Sequence, residues 1–178
     1  MYSTKYDSQI GELMLASDGN NLIGLWMDGQ KYHGGTLFEE YIEKDSLPVF
    51  IAVKKWLDKY FAGQNPPIKD IAIAPIGKKY QKDIWDELCK IPYGETTSYG
   101  MIRDKVARIP GNENLTNRVT GGAIGRNPIS VIIPCHRVVG YDGNLTGYAG
   151  GIDRKIRLLE IEGADMSRLY KPKEKRPV

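Results

Sequence analysis

The sequence predicts an α+β fold, in which an N-terminal α/β domain at residues 1–77 precedes a mostly helical C-terminal domain at residues 78–170. Two observations separate these parts. Near the N-terminus, apolar runs flank a turn sequence, which is typical of a β-hairpin, whereas apolar residues after position 78 recur at helical spacing. The remaining tail, residues 171–178, is basic and contains proline, so we expect it to be disordered.

The first domain contains signals for a hairpin, a helix and a further strand. Residues 10–17 and 22–27 flank an Asp-Gly-Asn-Asn sequence at 18–21, and such a turn between apolar runs predicts a hairpin. Residues 48–61 have helical apolar spacing and begin with proline, which the first turn of a helix tolerates. Residues 71–74 are interpreted as a buried or alternating strand.

The second domain begins with two predicted helices. Apolar side chains at residues 78–90 fall on one helical face, and a proline follows the last turn. Residues 99–108 predict a shorter helix, for which Thr97 or Ser98 can serve as the N-cap. A Pro-Gly-containing connection leads to a third helix, so the arrangement resembles a helix-turn-helix.

The third helix is unusually poor in bulky side chains. Asn112 or Asn114 can cap it, and Leu115 and Val119 are expected on its inward face with Gly122 or Ala123. It contains Gly121, Gly122 and Gly125. Each glycine costs a helix about 1 kcal/mol relative to alanine, so three indicate close approach by another helix or a nucleic-acid backbone. Arg118 is either the long polar group at that contact or an exposed side chain.

A last helix is predicted at residues 154–162. Asp153 is its expected N-cap and forms an i,i+4 pair with Arg157. Glu162 lies at the C-terminal end, where the helix dipole disfavours a carboxylate. This position is explained either by a specific cationic or N–H partner or by simple solvation of the side chain.

One short stretch carries the candidate chemistry. Residues 130–133 form a β-branched run that predicts a short buried strand, and Pro134 ends it. Cys135 follows in the expected turn, and His136 and Arg137 are the next two residues. A thiol reacts as its thiolate, and a nearby His or Arg can lower its pKa, so Cys135 is a candidate nucleophile. The alternative is a small buried cysteine beside an exposed basic pair.

Charge is distributed unevenly along the chain. Residues 1–78 contain 8 Lys, no Arg and 10 acidic residues, a net charge of −2, whereas residues 79–178 contain 17 basic and 12 acidic residues, a net charge of +5. Arginine is favoured for phosphate and base recognition, so a polyanionic partner is one interpretation of the second half. A solvated basic face is the other.

Several classes of protein and site are disfavoured by the sequence. No apolar run could span a bilayer and no signal-peptide core is present, so we expect no membrane association and a cytoplasmic location, or a nuclear one in a eukaryote. Cys89 and Cys135 are too few for a disulfide or metal framework. Cys89 is expected to be a core thiol, and the lone His33 a solvated loop residue.

The Ile-Pro-Cys-His-Arg-Val-Val sequence at 133–139 resembles the active-site signature of the O6-alkylguanine-DNA alkyltransferases, also called methylated-DNA–protein-cysteine methyltransferases. Supporting matches, in chain order, are 91–99, 118–123, 127–128, 147–151 and 158–163. The resemblance covers about residues 79–165. It implies a winged-helix or helix-turn-helix-like DNA-binding domain there, and the first domain is compatible with the family's ribonuclease-H-like domain.

The resemblance implies direct repair of DNA. Cys135 would take a methyl or other alkyl group from O6 of a flipped-out guanine, and from O4 of thymine, giving an irreversible S-alkylcysteine. The implied catalytic residues are Cys135 as nucleophile, His136 as base through a water, Glu162 as the carboxylate that orients it, Tyr99 as donor to the leaving guanine, and Asn127 as hinge. The implied DNA-binding residues are Ser98, Asn117, Arg118, Gly121 and Arg126, and the implied base pocket consists of Pro134, Val138, Tyr148 and Ala149.

The resemblance also implies the partners and the stoichiometry. We expect a monomer that uses no cofactor, turns over once, and acts on double- or single-stranded DNA containing O6-alkylguanine. No structural metal is predicted, since no cysteine precedes Cys89. Ala149 stands where some members carry Ser, which can alter the preferred alkyl group. Two alternatives stay open: a non-catalytic sensor of alkylated DNA, because relatives with Trp in place of the cysteine only bind, and a cysteine hydrolase or redox protein.

Overall fold

A computed structural model of the chain describes residues 1–34 and 40–172. The main elements, in chain order, are β1 (Tyr2–Ser8), β2 (Gly11–Ser17), β3 (Leu22–Met27), β4 (Ile42–Glu43), α1 (Pro48–Phe61), α2 (Lys79–Leu88), β5 (Thr97–Ser98), α3 (Tyr99–Val106), α4 (Asn117–Gly125), β6 (Val138–Val139) and α5 (Ile152–Ile161). The predicted α+β class is confirmed, with the sheet first and the helical part second. The disorder predicted for the tail falls mostly on residues 173–178, which lie outside the described residues.

The N-terminal sheet has the strand order β3-β2-β1-β4, with antiparallel β3-β2 and β2-β1 pairs and a parallel β1-β4 pair. The predicted hairpin is confirmed as β2 and β3. Its turn is closed by Asp18, whose Oδ1 accepts hydrogen bonds from the backbone N–H groups of Asn20 and Asn21 at 2.8 and 2.7 Å. All of β3 is buried, so the hairpin lies at the centre of the molecule and not at its surface.

Helix α1 has the predicted bounds and covers the sheet. Pro48 occupies the first turn, where its missing N–H costs no helical hydrogen bond. The buried face contains Val49, Phe50, Val53, Trp56, Leu57, Tyr60 and Phe61. Tyr60, in the last turn, is only 1% exposed although it carries a hydroxyl group. Such a group needs a hydrogen-bond partner, and the partner lies in the second half of the chain.

Two predicted strands are wrong. Residues 71–74 form only an isolated bridge, at Ile73, with the first residue of β3. Residues 130–133 form a turn in which Val131 has a φ of +70° and the N–H of Ile132 donates to the Ser130 carbonyl at 2.8 Å. All four residues of this turn are buried. The β-branched composition therefore reflected burial and not an extended backbone.

The caps of the helix-turn-helix segment differ in part from the prediction. Ser98 caps α3, as expected, by accepting a hydrogen bond from the Met101 N–H at 3.2 Å. Thr116 caps α4 in the same way through the Val119 N–H at 3.2 Å, so the predicted Asn112 and Asn114 caps are wrong. Asn112 instead donates to a carboxylate on α2 at 2.7 Å and so fixes the connection between the two helices.

Helix α4 turns a different face inward than the one predicted. Thr120, Ala123 and Ile124 are buried, whereas Val119 is 41% exposed, so the expected inward position of Val119 is wrong. The Trp85 indole N–H of α2 donates to the Ala123 carbonyl at 3.0 Å and fixes the rotation of the helix. The three glycines stay partly exposed along the outer side, which leaves the backbone of α4 open to approach.

Helix α5 begins one residue before Asp153. Its N-cap is Gly151, with a φ of +91° and no side-chain cap, so the predicted Asp153 cap is wrong. Asp153 pairs with Lys171 at 2.6 Å, and Arg157 donates to Gln9 at 2.8 Å. The expected Asp153–Arg157 pair is therefore wrong as well, because both side chains have partners outside the helix.

One hydrophobic core runs through both parts of the chain, and the backbone joins them. The Leu25 N–H of β3 donates to the Pro128 carbonyl at 2.8 Å, and the Ser130 N–H donates to the Leu25 carbonyl at 2.9 Å. The turn that leads to Cys135 is therefore anchored on β3, the buried edge strand of the sheet. Among residues 1–34 and 40–172, no helix combines the length and apolar character that crossing a bilayer requires.

Candidate active site

Cys135 begins a short 3-10 turn at the end of the anchored segment and is 6% exposed. Its Sγ accepts a hydrogen bond from the Asn127 side-chain amide at 3.1 Å. The same amide donates to the Ile133 carbonyl at 2.7 Å, and the Asn127 Oδ1 accepts from the Ile129 N–H at 3.0 Å. Asn127 follows α4 directly, so it ties the end of that helix to the cysteine turn, which is the geometry expected of a hinge residue.

Burial raises the pKa of the Cys135 thiol above its usual range, although the Asn127 hydrogen bond and the Lys155 ammonium act in the opposite direction. The guanidinium of Arg137, which the sequence suggested as an activating group, points elsewhere: it donates to Glu162 and to the Ile91 carbonyl. The raised pKa favours the thiol over the thiolate, so reaction calls for a base that removes its proton.

His136, the residue after Cys135 in the chain, forms a buried pair with Glu162. His136 Nε2 and Glu162 Oε1 are 2.7 Å apart, and both side chains are fully buried. Burial lowers the pKa of His136, so the ring is a neutral imidazole whose Nε2–H donates to the carboxylate. Its other nitrogen, Nδ1, is buried and has no hydrogen-bond partner among the residues that the structure describes. That nitrogen is left as a proton acceptor.

Glu162 is the most heavily hydrogen-bonded carboxylate of the site. It accepts from the Tyr60 hydroxyl at 2.7 Å, the Gly94 N–H at 3.1 Å, and Arg137 Nε and Nη2 at 2.8 and 3.0 Å, in addition to His136. Burial acts to raise the pKa of Glu162, but the hydrogen bonds from His136 and Arg137 and the charge of Arg137 outweigh it and hold the pKa far below its usual range. Of the two explanations left open for this helix-end carboxylate, the structure supports a specific cationic or N–H partner over solvation.

Lys155 is a functional candidate that the sequence reasoning missed. It is completely buried, and its Nζ donates to the Val138 carbonyl at 2.5 Å and to the Thr146 carbonyl at 3.2 Å. Burial lowers its pKa to about 8, against the opposing charge of Cys135. A signal was present: Lys155 shares the apolar stripe of α5 with Leu158 and Leu159 at i+3 and i+4, where a charged residue needs a buried partner.

Two tyrosines enclose the space near the thiol. The Tyr99 hydroxyl donates to the Thr146 carbonyl at 3.1 Å, and burial together with the Cys135 charge raises its pKa to about 12. The Tyr148 ring packs edge-on to His136, with ring centroids 6.5 Å apart. At Gly147 a Cβ would lie 2.6 Å from the Tyr99 hydroxyl oxygen, so only glycine fits between these groups.

A groove of about 310 Å³ runs between α4 and the glycine-rich loop after Thr146. It is lined by Lys31, Tyr32, Gly121, Gly122, Gly125, Gly147, Tyr148 and Ala149. Tyr148 belongs both to this groove and to the surroundings of His136. The bare side of α4 that the glycines predicted thus forms one wall of the groove, while Lys31 and Tyr32 bring the N-terminal part of the chain to its rim.

The predicted DNA-binding residues lie on or next to α3 and α4, and their side chains differ in exposure and in hydrogen bonding. Arg118 is exposed in the first turn of α4, and Asn117 beside it accepts from Arg103 at 2.7 Å. Ser98 is occupied as the α3 cap. Arg126 donates to the Gly122 carbonyl at 3.2 Å, and its guanidinium lies 4.9 Å from the Tyr32 ring centroid.

No metal centre is visible among residues 1–34 and 40–172, where no three His, Cys, Asp or Glu side chains cluster as ligands. His33 packs against the Trp26 ring, with centroids 5.8 Å apart. Cys89 is half-buried, and burial raises its pKa to about 11. The absence of a structural metal and of a cofactor stays a prediction.

Comparison with known proteins covers most of the chain. Residues 79–164 match the family described as "6-O-methylguanine DNA methyltransferase, DNA binding domain", and residues 1–75 match "6-O-methylguanine DNA methyltransferase, ribonuclease-like domain". The chain belongs to the 6-O-methylguanine DNA methyltransferase family. The expectation from the Cys-His signature is confirmed at the level of the family.

Similar members of this methyltransferase family come from bacteria and archaea. The methylated-DNA–protein-cysteine methyltransferase of Haemophilus influenzae is 36% identical over 91% of this chain and 86% of its own length. That of Methanosarcina acetivorans is 39% identical over 92% and 99%. The crystal structure of Mycobacterium tuberculosis OGT in complex with DNA superposes with a TM-score of 0.80 at 40% identity and covers 95% of both chains.

Proposed function

We propose that this methyltransferase repairs DNA by moving a methyl or other alkyl group from O6 of guanine, and from O4 of thymine, to Cys135, once per molecule. The observation that carries the proposal is the buried Cys135 thiol beside a neutral His136, whose Nε2–H is held by Glu162 and whose Nδ1 has no hydrogen-bond partner within the described part of the chain. A protonated thiol next to an oriented imidazole is the arrangement that nucleophilic displacement by sulfur requires.

The proposed reaction is an in-line displacement at the alkyl carbon. His136 Nδ1 takes the thiol proton through one bridging water, and the sulfur forms a bond to the carbon as the carbon–O6 bond breaks. The electron pair passes to guanine O6, and the guanine takes up a proton, so no net proton is gained or lost. The Tyr99 hydroxyl, which burial keeps protonated, is the donor near the leaving group. The thioether product has no route back, hence one turnover.

Recognition of the damaged base is proposed to use the groove beside α4. Chemistry at an alkyl group on a base requires the base to leave the stack, and Arg118 would fill the space it vacates. The glycines of α4 allow its backbone to enter the minor groove closely. The flipped base would meet Pro134, Tyr148, Ala149 and the Val138 carbonyl, which Lys155 holds in place.

A methyl-transfer assay with mass spectrometry tests the proposal. The protein is incubated with a duplex that contains one O6-methylguanine, then digested and weighed. We expect the peptide with Cys135 to gain one methylene unit and the DNA to lose it, at one equivalent per protein. Binding of the duplex without any mass change would contradict the proposal and support a damage sensor. Repeated turnover of a thioester or peptide would support a cysteine hydrolase. A monomer in the cytoplasm, or in the nucleus of a eukaryote, also stays a prediction.

A further inference from the structure

Tyr60 brings the N-terminal part of the chain into contact with the catalytic pair. It lies in the last turn of α1, and its hydroxyl donates to Glu162 Oε1 at 2.7 Å. The same oxygen accepts from His136 Nε2 at 2.7 Å, and the Tyr60 oxygen lies 3.3 Å from that nitrogen. This oxygen therefore accepts from three donors: the imidazole, Arg137 Nη2 at 3.0 Å and a tyrosine 102 positions away in the sequence.

Aromatic packing holds the Tyr60 ring in place. The ring stacks on Trp56 with centroids 5.4 Å apart and an interplanar angle of 9°, and it meets Phe61 and Tyr93 edge-on at 5.3 and 6.0 Å. Burial and the Glu162 charge raise the pKa of Tyr60 well above its usual value, so the hydroxyl stays protonated and acts as a donor. A rigid ring with a permanent donor fixes the carboxylate oxygen in space.

The neutral Tyr60 donor on this oxygen also changes what the carboxylate does to the imidazole. Hydrogen bonds disperse the negative charge of a carboxylate, so each further donor weakens its hold on any one partner. When His136 accepts the thiol proton, the imidazolium is stabilised by Glu162. A carboxylate that held it too strongly would leave the ring protonated before the reaction and remove the base.

We propose that Tyr60 is a positioning residue for the alkyl-transfer reaction, which holds Glu162 against His136 Nε2 and limits how strongly the carboxylate binds the protonated ring. This inference rests on the proposed function and deepens it, because it gives the N-terminal part of the chain a direct role in the chemistry. Tyr60 does not line the groove, and the hydrogen bonds described for its hydroxyl are to Glu162 and His136, so it acts through this pair.

Charged and titratable groups from several elements surround His136. They are Glu162 at the end of α5, Arg137 in the 3-10 turn, Lys155 on α5, Cys135 before it in the chain, Tyr148 of the glycine-rich loop and Tyr60 of α1. Arg137 and Lys155 disfavour the imidazolium and Glu162 favours it. Tyr60 acts on this balance through a neutral side chain, so its hydroxyl can be removed without altering any charge.

The test compares Tyr60→Phe with Tyr93→Phe and with the unaltered protein. Tyr93 is a matched control, because its ring touches Tyr60 but its hydroxyl donates to the Ile161 carbonyl at 3.3 Å and not to Glu162. The single-turnover rate constant for uptake of a labelled methyl group from an O6-methylguanine duplex is measured across pH. A first-order rate constant reports on active molecules alone, so it does not depend on the fraction that folds.

For Tyr60→Phe we expect the rate constant at neutral pH to fall about tenfold and the midpoint of the acid limb to move to higher pH, since Glu162 then holds the imidazolium more strongly. Tyr93→Phe should change neither quantity. An unaltered rate and midpoint in Tyr60→Phe, a uniform loss at every pH, or a midpoint moved to lower pH would each overturn the proposal. Failure of the unaltered protein to take up the methyl group would instead contradict the proposed function.

Discussion

The two cysteines of the chain make an instructive comparison. Burial raises the pKa of both thiols, so neither is distinguished by a resting thiolate. Cys135 receives a hydrogen bond from Asn127 and lies beside the His136–Glu162 pair, whereas the charge of Asp86 further raises the pKa of Cys89. What distinguishes the reactive thiol from the inert one is therefore its neighbours, because Cys135 lies beside a base, His136, that can remove its proton.

Removing each thiol in turn should produce the largest difference in methyl uptake. Cys135→Ser should abolish methyl uptake while leaving duplex binding intact, because the hydroxyl is too weak a nucleophile in this setting. Cys89→Ser, the matched control, should transfer the methyl group at the rate of the unaltered protein. Mass spectrometry of both variants after reaction checks this. Methyl uptake on Cys89 in the Cys135→Ser variant would contradict the difference in reactivity between the two thiols.

Removing the carboxylate that orients His136 should have the next largest effect. Glu162→Gln should slow transfer about 100-fold, because a neutral amide stabilises the imidazolium poorly. It should also destabilise the fold by about 3 kcal/mol, since the buried guanidinium of Arg137 loses its partner. Single-turnover kinetics and denaturant unfolding measure these quantities. Glu160→Gln, at a half-exposed position of α5, should leave both nearly unchanged, and equal losses in the two variants would contradict the account.

Lys155 is the cation whose charge lowers the pKa of the Cys135 thiol. Lys155→Met should slow transfer about tenfold, as expected if the thiol pKa rises by about one unit. A folded-state pKa of about 8, below the usual value for lysine, means that the folded protein releases this proton before the unfolded chain does. The stability of the unaltered protein relative to Lys155→Met should therefore rise with pH above about 8. A difference in unfolding free energy that stays constant with pH would contradict the buried position of this charge.

Arg118 tests how a lesion reaches Cys135, and we expect the smallest effect there. Arg118→Ala should slow repair of a duplex roughly fivefold and leave reaction with a free O6-alkylguanine base unchanged, because only the duplex must be unstacked. Arg157→Ala removes the same charge from α5, away from the groove, and serves as the control. Equal losses on duplex and free base in Arg118→Ala would count against a base-flipping role.

Much of the site could be predicted from the sequence because its residues lie in short local motifs. Asn127, Cys135 and His136 fall within ten positions of one another, and the helix-end position of Glu162 indicated a specific partner. Lys155 could have been found as well, from its place on the apolar stripe of α5. These signals are local, since each depends on spacing within one helix or one turn.

The features that the sequence could not predict depend on tertiary structure. Tyr60 reaches Glu162 across 102 positions, and nothing in the spacing of α1 distinguishes it from the other buried residues of that helix. Burial and strand formation favour the same β-branched residues, so the turn with Val131 in the left-handed region resembled a strand. Thr116 was missed as a cap because Asn112 and Asn114, a few positions earlier, are also residue types that cap helices well.

The central claim is that Cys135 rests as a thiol and loses its proton only as it reacts. The ultraviolet absorbance of thiolate, measured as the difference between the unaltered protein and Cys135→Ser across pH, tests this most directly. We predict no thiolate signal from Cys135 at pH 7, and its appearance only above the usual range for a free cysteine. A full thiolate signal at pH 7 would contradict the claim, because the sulfur would then need no base.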